Sequence, residues 1–267
     1  MQTVMARWVF GVLSLMLLWP VAWAEPPTRG EPWRISTREG VTLPTYAYWR
    51  DDAVATLVLY SGGGGGYGQI NAEGWPTSGN FLIRSASHWA KHPFNLVMVG
   101  RPSDGIDLEN GDNRTGEQHA TDNRILLRAI RQRALPPIWL IGTSMGTISA
   151  TAAAIQDQEN NVAGLVLTSS ITGYKIPGAV PKQDVSAIRV PVLVFHHEYD
   201  ACKHCQAHEA RSMTEKFTHS PIRKALIVNG GAGATGNPCG AFHHHGYVGM
   251  EQDAVNQIAA WIRQPSE

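Results

Sequence analysis

Residues 138–146 read Ile138-Trp139-Leu140-Ile141-Gly142-Thr143-Ser144-Met145-Gly146. Four consecutive apolar residues predict a buried strand, and the small, apolar stretch 144–154 predicts the helix that follows it. Between them sits Gly-x-Ser-x-Gly. A serine on such a sharp strand-to-helix turn carries its hydroxyl above the sheet edge, and the turn is tight enough to demand small neighbours. In a chain with 27 glycines the pentapeptide alone is a weak signal. Its placement between strand and helix makes Ser144 the candidate nucleophile.

The same alternation extends in both directions. Runs 33–37 and 41–49, split by Arg38-Glu39-Gly40, predict a hairpin. Further strands are expected at 56–60, 94–100, 162–169, 192–196 and 225–229. Helical patterns occupy 81–92, 117–133, 205–217 and 249–263, with Ser78 or Asn80 as the cap of the first. Continuous Val/Leu/Ile strands alternating with helices imply an α/β fold, with a mostly parallel central sheet and helices on both faces. Active sites on such sheets lie on loops at the C-terminal ends of strands.

A serine hydroxyl is a poor nucleophile at neutral pH. It needs a base, and the base needs an orienting group. After a turn of this type the expected chain order is serine, acid, histidine. Asp200 stands where an acid would leave the sheet after the 192–196 strand, with Glu198 as its competitor nearer the strand end. Phe242-His243-His244-His245-Gly246 precedes the last helix. His245, nearest that helix and followed by a glycine, is the expected base, with His244 next. The Met145 N–H would supply one oxyanion donor. The second would come from the loop after 56–60, where Ser61 precedes Gly62, Gly63, Gly64, Gly65 and Gly66; Gly63 is favoured and Gly64 is the alternative.

At these residues the chain resembles the α/β-hydrolase family, over about residues 33–262. It is similar to exported bacterial members carrying segments like Arg101-Pro102-Ser103-Asp104-Gly105, His119-Ala120-x-Asp122 and His245-Gly246-Tyr247-x-Gly249-x-Glu251. The resemblance implies the α/β-hydrolase fold and an esterase/lipase-like serine hydrolase, with Ser144 as nucleophile, Asp200 as acid and His245 as base. Ser61 departs from the pattern, because many members carry a histidine before the oxyanion glycines. The short interval 170–191 leaves no room for a large lid domain. The expected reaction is cleavage of a carboxylic ester through an acyl-enzyme, with a small-molecule ester or acyl substrate and no cofactor. A peptidase or amidase on the same triad and a non-catalytic binding protein on a hydrolase scaffold are the alternatives.

The three cysteines are Cys202, Cys205 and Cys239. Cys202 closely follows Asp200, and Cys239 shortly precedes His245. If acid and base meet, their loops lie side by side, so a Cys202–Cys239 disulfide is expected, with Cys202–Cys205 as the competing pair. Eight of the 11 histidines fall within 196–245. No paired CxxC or H-E-x-x-H pattern accompanies them, so no metal site is expected. Gly63-x-Gly65-x-x-Gly68 and Gly231-x-Gly233-x-x-Gly236 match a dinucleotide fingerprint literally, but neither runs into a helix that could hold a pyrophosphate. His119 and Asp122 are expected to make structural hydrogen bonds, and Asp104 and Asp107 to lie on a loop near substrate.

The 267 residues carry 22 Lys+Arg against 22 Asp+Glu. That neutrality disfavours a nucleic-acid partner, which a basic surplus would attract. At the start, Arg7 precedes a short apolar run and Ala22-Trp23-Ala24, the pattern of a secretory signal peptide cleaved after Ala24. The expected organisation is a signal peptide over 1–24 and a single domain over 25–267, periplasmic or secreted. No second long apolar run suggests stable membrane insertion after cleavage.

Overall fold

The computed structural model describes residues 30–267. The expected signal segment 1–24 lies outside the described residues. Eight strands form one sheet: β1 (Glu31–Arg38), β2 (Val41–Tyr48), β3 (Ala55–Tyr60), β4 (Phe94–Val99), β5 (Ile138–Thr143), β6 (Val162–Thr168), β7 (Val192–His197) and β8 (Arg223–Val228). Their spatial order is β1-β2-β4-β3-β5-β6-β7-β8. β2 pairs antiparallel with both β1 and β4, while β4 through β8 run parallel. The hairpin therefore forms one edge of an otherwise parallel sheet.

Parallel strands buried on both faces explain the continuous apolar runs. Every residue of β3, β4, β5 and β7 is buried. Their side chains alternate between two cores. Leu57, Leu59, Trp139, Ile141 and Phe195 face α1 (Phe81–Arg84), α2 (Ala86–Trp89) and α7 (Glu251–Arg263). Val58, Tyr60, Leu140, Leu167 and Val194 face α4 (Glu117–Arg133), α5 (Gly146–Ile155) and α6 (Ala207–Glu215). Each Leu, Val or Ile so buried contributes about 1.5–3 kcal/mol from removal of apolar surface from water.

Two local expectations needed correction. The helix expected over 81–92 is two short ones broken at Ser85 (φ −86°, ψ 11°). Phe81, Leu82 and Ile83 of the first and Ala86 and Trp89 of the second are buried in the same core. The cap of the first is Asn80, whose side chain accepts the Leu82 N–H, and not Ser78. A further short helix, α3 (Gly111–Thr115), was not anticipated; it starts at Asn110, whose side chain accepts the Asp112 N–H. Between β6 and β7 lie only two 3-10 turns, Val180–Lys182 and Val185–Ala187, so no inserted domain covers that end of the sheet. Among the described residues no helix is long and apolar enough to cross a membrane.

Candidate active site

β5 ends at Thr143 and α5 begins at Gly146, leaving Ser144 in the left-handed region with φ 52°. A non-glycine residue there stores roughly 1–3 kcal/mol of strain, held in place by its surroundings. The Ser144 N–H donates to the Thr168 carbonyl at 3.1 Å, and the Ser144 carbonyl accepts the Thr147 hydroxyl at 2.6 Å. A Cβ on Gly142 would come within 2.5 Å of the Gly146 oxygen, and one on Gly146 within 2.0 Å of the Tyr60 oxygen. Both glycines are dictated by the close approach of α5 to β3 and β5.

Asp200 follows β7 with its side chain wholly buried. Its Oδ2 lies 2.9 Å from His245 Nδ1, and its Oδ1 accepts the Cys202 N–H at 2.9 Å. Since the carboxylate can only accept, Nδ1 carries the proton and the Nε2 lone pair is left open. That Nε2 is buried and has no hydrogen-bond partner among the described residues. The competing residues point elsewhere. Glu198 accepts from Asn229 Nδ2 at 3.1 Å, and the His244 ring stacks on His197 at 4.5 Å between centroids. Of the three adjacent histidines, only His245 is buried.

Residues that sequence reasoning passed over hold the His245 loop. The Ser169 hydroxyl donates to the His245 carbonyl at 2.7 Å. Buried Tyr247 donates its hydroxyl to the Phe195 carbonyl and accepts the Ser169 N–H, at 2.7 and 3.1 Å. Arg84 donates to the Gly246 and Gly79 carbonyls at 2.6 and 2.7 Å and pairs with Glu251 at 2.9 Å. The quoted run from His245 to Glu251 was the available signal for Tyr247 and Glu251; nothing in the sequence pointed to Ser169.

The glycine loop after β3 is tied internally. Gly65 N–H donates to the Gly62 carbonyl at 3.1 Å, and the Ser61 hydroxyl donates to the Gly66 carbonyl at 2.8 Å. Gly62, not singled out from the sequence, packs against the nucleophile: a Cβ there would meet Ser144 Cβ at 2.9 Å. Gly62 and Gly63 line the same cavity as Ser144 and His245, whereas Gly64 lies against the Glu109 side chain. Met145 opens α5, where the first N–H groups have no intrahelical acceptor.

This cavity measures about 300 Å³ and is walled by Ser78, Gly79, Asn80, Phe81 and Ala241. A larger hollow of about 420 Å³ between α4 and residues 156–161 contains no candidate nucleophile.

Cys202 and Cys239 are joined as a disulfide across 37 positions, with Cα atoms 4.5 Å apart. The bond links the Asp200 loop to the loop approaching His245. Cys205 remains a buried free thiol close to Ser144. Burial, then the nearby Asp200 charge, pushes its pKa up, so it stays protonated at neutral pH. Cys202, Cys205 and His245 cluster at metal-like spacing. The Cys202 sulfur is already bonded, which leaves fewer ligands than a structural zinc site uses. Closing a loop of this length contributes about 4 kcal/mol in the chain-entropy picture. Cys239→Ser is therefore expected to lower stability by about that amount, read as a fall in the urea midpoint absent when the parent is measured under a dithiol reductant.

The remaining polar candidates are structural. Asp122 takes a two-pronged contact from Arg38 at 2.9 and 3.0 Å, and Arg38 also pairs with Asp104 at 2.8 Å. Asp104 is thus engaged with the hairpin edge and not with the cavity. His119 is buried with neither ring nitrogen hydrogen-bonded among the described residues, and its ring meets Tyr60 edge-on. The structural hydrogen bond expected of it is not formed.

No protein-family model matches the chain, and no curated protein is significantly similar to it in sequence. Solved structures do resemble it. An esterase from Pyrococcus furiosus is 13% identical with a TM-score of 0.60, covering 89% of this chain and 91% of that one. An α/β serine hydrolase homologue from Coxiella burnetii is 14% identical with a TM-score of 0.58, covering 89% and 98%. The esterase domain of a Rhodothermus marinus protein is 14% identical with a TM-score of 0.56, covering 88% and 99%. At such identities the likeness is one of architecture, and it agrees with the sheet order and the strand–turn–helix at Ser144: the chain has the α/β-hydrolase fold.

Proposed function

We propose that the protein is a serine hydrolase that cleaves carboxylic esters through a Ser144–His245–Asp200 triad. The observation that carries this reading is the His245 Nδ1–Asp200 bond, which leaves a buried Nε2 lone pair in the cavity that Ser144 lines. In the reaction, Nε2 takes the Ser144 proton as Oγ attacks the substrate carbonyl. Asp200 holds the tautomer and stabilises the imidazolium. The Gly63 and Met145 N–H groups receive the developing oxyanion. His245 then protonates the departing alkoxide, and water, activated by the same nitrogen, releases the acid from the acyl-enzyme.

Neutral, mostly small cavity walls favour an uncharged ester with a compact acyl group. The leader pattern at 1–24 and the disulfide support export to the periplasm or beyond the cell. A fluorophosphonate probe tests the assignment. The parent is expected to be labelled on Ser144 and to hydrolyse short p-nitrophenyl esters, and Ser144→Ala to do neither. An unlabelled parent overturns the hydrolase reading, and faster turnover of peptide amides than of esters overturns the ester preference.

A further inference from the structure

Among the described residues no carboxylate is hydrogen-bonded to the buried guanidinium of Arg114. Its residue is 2% exposed, yet its three hydrogen bonds all go to neutral groups. Nε donates to the Leu108 carbonyl at 2.6 Å, Nη1 to the Ser149 hydroxyl at 2.8 Å and Nη2 to the Gly63 carbonyl at 2.7 Å. A buried charge satisfied only by dipoles is costly, and burial pushes the pKa of Arg114 down to about 10 against the weaker pull of Asp107 and Glu109. Such an arrangement calls for a return elsewhere, and the three partners indicate where it lies.

Gly63 is the expected oxyanion donor and has φ +55°, a conformation glycine reaches freely and leaves as freely. Its N–H direction is set by the peptide plane before it, and its own carbonyl by the plane after it. The Gly65 N–H fixes the first plane through the Gly62 carbonyl, and Arg114 fixes the second through the Gly63 carbonyl. Ser149 lies in α5, the helix that starts at the nucleophile turn. The same guanidinium therefore clamps the oxyanion loop to the helix that follows Ser144 and Met145. The rigid planar fork of arginine reaches its three acceptors from three separate nitrogens, whereas a lysine ammonium would have to reach all three from a single point.

We infer that Arg114 is a positioning residue for oxyanion stabilisation, setting the Gly63 donor relative to Ser144 without touching substrate. This rests on the hydrolase reading above. Catalysis depends on donors lying at hydrogen-bond distance from where the oxyanion forms, so a loosened donor is lost mainly from the transition state.

The test uses Arg114→Lys, Arg114→Gln and Ser149→Ala in the full chain. For each, kcat and KM on a p-nitrophenyl ester are normalised to sites titrated by fluorophosphonate. Affinity is also measured for a boronic acid, which forms a tetrahedral adduct on Ser144. Both Arg114 variants are expected to lose about 10²-fold in kcat with KM nearly unchanged, and boronate affinity is expected to fall in parallel. Ser149→Ala removes one of the three anchors and is expected to fall several-fold in the same two quantities. A merely structural arginine would lower the melting temperature and leave kcat per titrated site and boronate affinity as in the parent; that result overturns the proposal. If the Arg114 variants do not fold, Ser149→Ala decides by the same criterion. A parent that is not labelled on Ser144 overturns the hydrolase reading instead.

Discussion

Asp200→Asn is expected to lower kcat by about 10⁴-fold while leaving the melting temperature close to that of the parent. The size follows from the two bonds of the carboxylate. Oδ1 accepts the Cys202 N–H and Oδ2 faces His245 Nδ1, each at 2.9 Å. An asparagine there must place its carbonyl oxygen on the Cys202 side, because an amide nitrogen cannot accept that bond. Its NH₂ then donates to Nδ1, which forces the imidazole proton onto Nε2. The base is thereby turned into a donor facing the serine. Because both local hydrogen bonds survive, stability is retained and the loss is chemical. Ester turnover and fluorophosphonate labelling should fall together, and a loss below tenfold would falsify the role given to Asp200.

Acidification should destabilise the fold well before the carboxylates protonate. His119 and His196 are buried, and burial pushes the pKa of each down to about 4. Arg114 and Arg38 add to the effect at His119 while Asp122 opposes it. At His196 the opposing charge is Asp200, with His245 acting the other way. The hydrogen bonding of His196 agrees: its Nε2 accepts the Ser170 N–H at 2.7 Å, a bond that protonation would break. In the unfolded chain a histidine titrates near about 6.5. Above that value both states are neutral and neither group affects stability. As pH falls below it, the unfolded chain takes up two protons that the native chain refuses, and stability declines until about pH 4. A shift of this size corresponds to about 3 kcal/mol for each histidine, roughly 6 kcal/mol together and comparable with the whole stability of many domains. Urea midpoints followed from pH 7 to 4.5 should fall steadily, and His119→Phe should flatten part of the slope. A constant midpoint across that range would contradict the assignment.

The parts of the fold legible in the sequence were those whose cause is local. Strands such as β5 and β7 are continuous apolar runs because both of their faces are covered, and that cause is written in consecutive residues. The turn at Ser144 was legible because its glycines sit beside the serine. Asp200 and His245 could be singled out as candidates because each comes after a strand that the pattern had already marked. Contacts made at long range were not legible. Ser169 reaches the His245 carbonyl across 76 positions, and Arg114 reaches Gly63 across 51. Neither carries a spacing that reveals its partner, and an arginine in the polar stretch 109–117 reads as surface. Gly62 was passed over for a different reason: within a run of five glycines no local rule says which one will face the serine.

The two glycines of the strand-to-helix turn bear on how such chains diverge. Gly142 and Gly146 answer to the separation of helix and sheet backbones, whereas Ser144 is conformationally uncomfortable where it stands, and under the proposed function its chemistry is what would keep it there. A descendant of this scaffold with no hydrolytic role would still keep both glycines, because a Cβ on either would collide with the facing backbone. It would also gain by replacing the serine with glycine or asparagine, which rest more easily in the left-handed region. In a lineage of such proteins, the glycines thus record inherited architecture, and of the turn's residues the serine is the one that would record continuing use.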